Sequence, residues 1–243
     1  MKSSRAVLCT TVFATDPEDG RFVQALRTAE EARVNELHLY IVSGCPNPIC
    51  DELLRERGAE VVKEVDHGMG ASRRQGIREV VKKYDPGAVV WLEPEKYPLV
   101  AHLEASIQAI GRGQADLVVP RRTTLESYPK YQELSELRAN HAMGAITSRG
   151  DLDLMFGPRV MGRKAIPLFL AYGPEYGGDQ WHVLFAPVVW AIKKGLKLLS
   201  VTVPYVHPLE QTTREEGNAE MDSRRDIQRV ELIELVSREM KRS

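Results

Sequence analysis

Runs of β-forming residues alternate with helically spaced segments through the first half of this chain, and that rhythm leaves few folds open. Ala6 to Phe13, Leu37 to Val42, Ala59 to Val65, Ala88 to Leu92 and Ala115 to Pro120 are the strand candidates. Between them, Phe22, Leu26, Ala29 and Ala32 recur at helical spacing, and Ile49 to Arg57 forms a short helix stopped by Gly58. Gly70 to Lys83 and Leu99 to Gly111 give two further helices. Strands separated by helices at this interval predict an α/β domain with a doubly wound, mainly parallel sheet flanked by helices.

The second half is less regular. Pro129 to Ser148 reads as a longer polar helix, Asp153 to Phe156 as a short strand and Gly157 to Gly162 as a turn. Trp181 to Lys194 carries an apolar stripe that reads as a helix despite Pro187, ended by Gly195 before the strand Leu196 to Val203. His207 to Met221 is polar without a packing pattern and reads as a lid or ligand loop. Asp222 to Lys241 closes the chain as a charged amphipathic helix, whose apolar stripe permits a monomer or a dimer.

At 243 residues the chain suits one well-packed domain. With 33 Lys plus Arg against 34 Asp plus Glu, bulk charge gives no case for nucleic acid as a partner. Cys9, Cys45 and Cys50 have neither CxxC spacing nor a His cluster beside them, and read as reduced thiols of a cytoplasmic protein. Lys2 and Arg5 precede an apolar run that Thr10, Thr11 and the acidic Asp16 to Asp19 interrupt, so no signal peptide is expected. No apolar run approaches the roughly 20 residues of a transmembrane helix.

The chemistry concentrates between Gly68 and Lys96. A Gly-rich, Arg-bearing turn opens a helix there, and the strand Ala88 to Leu92 runs into Glu93-Pro94-Glu95-Lys96. Open α/β sheets bind ligands at the carboxyl edge of their strands, and free N–H groups at a helix start favour anionic oxygens. Arg73 and Arg74 add planar forks suited to phosphate. A nucleotide or sugar-nucleotide ligand fits this pattern.

With those residues in view, the chain resembles the GT-A glycosyltransferase superfamily, in particular its compact family-2-like and mannosylglycerate-synthase-like members. Thr10-Thr11-Val12-Phe13 ends the first strand where such enzymes begin to hold the base. Gly68 to Ile77 looks like their "G, then A-R-N-x-G" helix start, and Glu93-Pro94-Glu95 stands where the family places Asp-x-Asp. Further on, Phe156 to Ile166, Tyr176 to Trp181 and Gly195 to His207 resemble later family segments in the same order.

The resemblance implies a single GT-A-like domain over 1–243, with 1–96 as the nucleotide-sugar half and 97–243, including the C-terminal helix, as the acceptor half. It implies transfer of a sugar from a nucleoside-diphosphate-sugar donor to a hydroxyl of a small-molecule or glycan acceptor. Thr10, Thr11, Ser43, Arg73, Glu93 and Glu95 would hold the donor, and Glu95 with His207 would hold Mg2+ or Mn2+. Glutamate is also a hard oxygen ligand, but its extra methylene changes the coordination geometry, and Lys96 either crowds a metal or substitutes for it as a point charge. Asp179 is expected at a helix N-cap, where it also suits orientation or deprotonation of the acceptor hydroxyl, while Gly157 borders the acceptor. Arg121, Arg122 and Arg163 suit an anionic acceptor, and Ser127 to Tyr131 offers aromatic rings for sugar stacking. Two rival readings are a sugar nucleotidyltransferase, against which the acidic Ala14 to Gly20 loop argues, and a non-catalytic nucleotide-sugar-binding protein.

Overall fold

The computed structural model describes residues 6–242. Lys2 and Arg5 lie outside the described residues. Strands β1 (Ala6–Val12), β2 (His38–Ser43), β3 (Glu60–Lys63), β4 (Ala88–Trp91), β5 (Leu117–Arg122), β6 (Arg159–Gly162) and β7 (Leu198–Val203) form one sheet in the order β3-β2-β1-β4-β6-β5-β7. Every pairing is parallel except those of β6, which runs antiparallel between β4 and β5. Helices α1 (Gly20–Val34), α2 (Pro48–Glu56), α3 (Met69–Tyr84), α4 (Glu104–Gly111) and α5 (Lys130–Thr147) connect the first six strands. Beyond β6 come α6 (Ile166–Ala171), α7 (Ala186–Lys193), α8 (Leu209–Glu215) and α9 (Ala219–Lys241).

Alternate side chains of each inner strand point to opposite faces, so the sheet needs a hydrophobic layer on both sides. Leu8, Ile41 and Val90 meet Phe22, Ala25 and Ala29 of α1 on one face. Their neighbours Val7, Val89 and Trp91 meet Ile77 and Val80 of α3, Val188 of α7 and Leu232 and Val236 of α9 on the other. No helix among the described residues is long and apolar enough to cross a membrane.

Five expectations need correction. Asp153 to Phe156 is a turn, closed by Phe156 N donating to the Asp153 carbonyl at 3.2 Å, whereas the supposed turn Gly157 to Gly162 contains β6. Its glycines and proline mask a four-residue strand that is paired on both sides, Val160 lying opposite Val90 and Val118. Leu99 to Gly111 divides into a 3-10 turn over Tyr97–His102 and then α4. Pro187 likewise divides Trp181 to Lys194: it sits in the first turn of α7, where its missing N–H removes no helical bond, behind a 3-10 turn over Trp181–Leu184. The polar stretch after His207 is ordered as α8 and the start of α9, the latter capped by Asn218, whose side chain accepts from Met221 N at 3.1 Å.

Close packing of α3 on the sheet fixes where its first turn delivers Arg73. A Cβ on Gly76 would stand 2.6 Å from Cys9 Sγ and 3.2 Å from Val42 Cγ2. Gly76→Val should therefore lower stability by about 1–3 kcal/mol through overpacking, read as a lower urea midpoint at unchanged slope.

Candidate functional site

A cleft of about 380 Å3 opens at the carboxyl ends of the central strands. Residues that follow β4 form one wall. After Leu92 N donates to the Cys9 carbonyl at 3.3 Å, the chain turns, with Lys96 N donating to the Glu93 carbonyl at 3.0 Å. Thr28 Oγ of α1 donates to the Pro94 carbonyl at 2.6 Å and pins that turn. Glu93, Glu95 and Lys96 thereby all line the cleft. Gly157 passes so close over Glu93 that a Cβ there would overlap its carboxylate and push it aside.

Arg73 enters from α3. Its guanidinium lies 5.3 Å from the Trp91 ring, donates to the Gln180 carbonyl at 3.1 Å and leaves its Nε without a partner. Burial pulls its pKa down, opposed by Glu93, Glu95 and Asp179. The Lys96 ammonium is also buried, 6.0 Å from the Tyr128 ring centre and 5.6 Å from that of Tyr205. Burial depresses it too, but Tyr128, Tyr205, Glu95 and Glu93 outweigh that effect and hold it well above its ordinary value.

The opposite wall is a buried charge network. Arg122, at the end of β5, is saturated: it donates to both Asp153 oxygens at 2.7 and 2.8 Å and to Glu136 at 2.7 Å. Arg225 of α9 pairs with Glu215 at the end of α8 at 2.5 Å. Arg229 lies 3.9 Å from Glu136, and its Nε and Nη1 have no hydrogen-bond partner. His207 is buried and stacked on Tyr128 at 4.1 Å between ring centres, with Nε2 3.6 Å from Glu215. Burial lowers the His207 pKa, so its imidazole is neutral at pH 7. Burial alone would raise Glu215, yet contacts with His207 and Arg225 hold it at about 2. With the imidazole neutral, Arg225 supplies the charge that does this.

Arg73, Glu93, Glu95, Gly157 and His207 all line this one cleft. Thr10, Thr11 and Ser43 do not line it: Thr10 is buried within β1, and Ser43 donates to Asp51 at 2.5 Å and accepts from Cys45 N at 3.2 Å. Asp179 is neither a helix cap nor a lining residue. Both its oxygens are engaged by Arg74, one at 2.9 Å, and its carbonyl accepts from Gly70 N at 2.9 Å, so it clamps the 172–180 segment to α3. Of the arginines expected to meet an anionic acceptor, Arg122 lines the cleft but is fully paired, and Arg163 pairs with Asp85 at 3.0 Å, away from it. Arg21, Arg224, Arg225 and Arg229 also line it. Asn218 followed by Glu220 and Asp222, a capped acidic first turn, was the sequence signal that α9 begins early enough to bring its arginines here. Tyr128 forms part of the wall, whereas Tyr131 turns away to donate to Asp226.

Around the expected metal pair, Glu95 and His207, other groups crowd the cleft. His207 Nε2 is turned to Glu215, the Lys96 ammonium occupies the same cleft, and no group of three or more His, Cys, Asp or Glu among the described residues is placed to hold a metal ion.

Solved structures share this chain path. Glucosyl-3-phosphoglycerate synthase from Mycobacterium tuberculosis in complex with UDP matches with a TM-score of 0.61 at 16% identity, over 95% of this chain and 80% of that one. The same enzyme with Mn2+, UDP-glucose and phosphoglyceric acid gives 0.58 at 13% identity, over 94% and 80%. A complex of it with Mg2+ and UDP gives 0.55 at 14%, over 84% and 73%. The fold is GT-A. No protein-family model matches the sequence of this GT-A chain, and no curated protein sequence matches it significantly.

The Glu215 shift has a pH signature. Its folded value lies below the ordinary 4.5, so the stabilisation is complete above about pH 5 and is lost as pH falls towards 2. Glu215→Gln should cost about 3 kcal/mol at pH 7, and less than about half of that at pH 3. Urea unfolding of both proteins at the two pH values checks this.

Proposed function

We propose that this chain is a glycosyltransferase that moves a sugar from a nucleoside-diphosphate-sugar donor to a hydroxyl of a small anionic acceptor. The observation that carries the reading is the convergence of Arg73 and Lys96, both buried, on the strand-end carboxylates Glu93 and Glu95 in a single cleft. Departure of a nucleoside diphosphate from an anomeric carbon develops negative charge on phosphate oxygens. Fixed cations in a water-poor site stabilise that charge without having to reorganise. The GT-A neighbours crystallised with UDP and UDP-glucose support a donor of this class.

In this reading residues 1–96 hold the nucleotide, with Phe13, exposed just beyond β1, offering a ring face to the base. Residues 97–243 hold the acceptor, where Arg224, Arg225 and Arg229 of α9 face the cleft and favour phosphate or carboxylate. The phosphoglyceric acid bound to the neighbouring synthase is an acceptor-sized anion of that kind. Glu93 and Glu95 suit donor hydroxyls. Asp179 acts here by holding α3 and Arg73 in place. The counter-charge assigned to this cleft is Arg73 with Lys96 in place of a divalent cation such as the neighbours carry, since His207 Nε2 faces Glu215.

Purified protein should show a raised melting temperature with one nucleoside diphosphate or its sugar, screened across UDP and GDP. It should also consume the matching sugar donor when phosphorylated or carboxylated acceptors are supplied. Arg73→Ala should weaken the diphosphate roughly 10- to 100-fold. Binding without turnover with any acceptor would favour a non-catalytic binding protein, and an absent shift with every nucleotide would remove the reading.

A further inference from the structure

We propose that the Lys96 ammonium is the resident counter-charge for the donor diphosphate, so that this chain binds its nucleotide without a divalent metal. The inference rests on the reading above and concerns how that same cleft manages charge. Lys96 directly follows the Glu93-Pro94-Glu95 turn and lines the cleft with Arg73. Its side chain is about nine-tenths buried, at 9% exposure. The structure shows no hydrogen bond or ion pair to its ammonium among the described residues; the faces of Tyr128 and Tyr205 are what lie against it. A buried ammonium with no anion at bonding distance keeps its hydrogen bonds open for the oxygens of an anionic ligand.

Charge in the cleft points the same way. Seven Lys and Arg side chains line it against four carboxylates, and with Asp153 behind Arg122 counted the cations still outnumber the carboxylates before any metal enters. A dication beside Glu95 would be added to that surplus, next to an ammonium that repels it, whereas a diphosphate would neutralise it. His207, the other expected metal ligand, has its Nε2 directed at Glu215 and its ring fixed on Tyr128. Lys96 therefore acts as a point charge on phosphate, the use to which a lysine is best suited.

Calorimetric titration of the full chain with UDP, GDP and inorganic pyrophosphate, each in EDTA and in Mn2+, tests this. At least one of the three should bind with affinities in the two buffers agreeing within about threefold, and Mn2+ alone should show no saturable binding. Lys96→Met should weaken that ligand at least tenfold in EDTA, while Lys96→Arg, which keeps the charge, should stay within a few fold of the parent. A tenfold or greater dependence on Mn2+ in the unaltered protein would overturn the proposal while leaving the nucleotide-sugar reading intact. That comparison holds even if Lys96→Met does not fold. Unweakened binding by a folded Lys96→Met protein would overturn it as well. Failure of all three ligands in both buffers would defeat the nucleotide-sugar reading first and this inference with it.

Discussion

The Arg159 guanidinium has no exposure to solvent and must find every hydrogen-bond acceptor inside the protein. It takes the carbonyls of Leu154 at 3.0 Å, Pro158 at 2.8 Å, Phe156 and Leu184 at 3.3 Å. Desolvation pulls its pKa down to about 10, against the fields of Glu93 and Asp153, and it stays charged at neutral pH. That single side chain ties the turn before β6 to the segment before α7. Residues 155 to 157, which form part of the cleft wall, are thereby fixed against β4 and Glu93. Without it several carbonyls would lose their donors at once in a place water does not reach.

A second set of buried ions extends from that turn. Asp153 accepts from Arg122 and from Asn140 at 2.7 Å, Arg122 reaches Glu136, Glu136 faces Arg229, and Glu215 joins Arg225 and His207. The network joins β5, α5, α8 and α9, elements far apart in the chain, into one wall. Buried pairs of this kind add little net stability over apolar packing, but removing one member strands the rest. Their value here is in orientation: they hold cations at the edge of a cleft without collapsing into it.

Much of this was legible from the residues. The first five strands and their helices follow from simple periodicity, because each inner strand is apolar on both faces. The rule that ligands gather at strand carboxyl ends located Glu93, Glu95 and Arg73. β6 escaped because Gly157 and Pro158 are turn formers, and only its two neighbouring strands make four residues into a strand. Asp179 is not the helix cap expected of it because α7 starts at Ala186, and its partner Arg74 is over a hundred positions away, a pairing no local pattern reports. The α9 arginines look like solvated charge in sequence, and only the packing of α9 on α5 turns them inward.

The stacking of Arg73 on Trp91 carries an optical corollary. The indole is almost wholly shielded, at 1% exposure, and the Arg73 guanidinium on the cleft wall lies 5.3 Å from its ring. Emission of a tryptophan responds to the field across its ring, so an anion that draws Arg73 aside alters the fluorescence of a chromophore it never touches. Occupancy of the cleft is thus readable in the native protein without any added label.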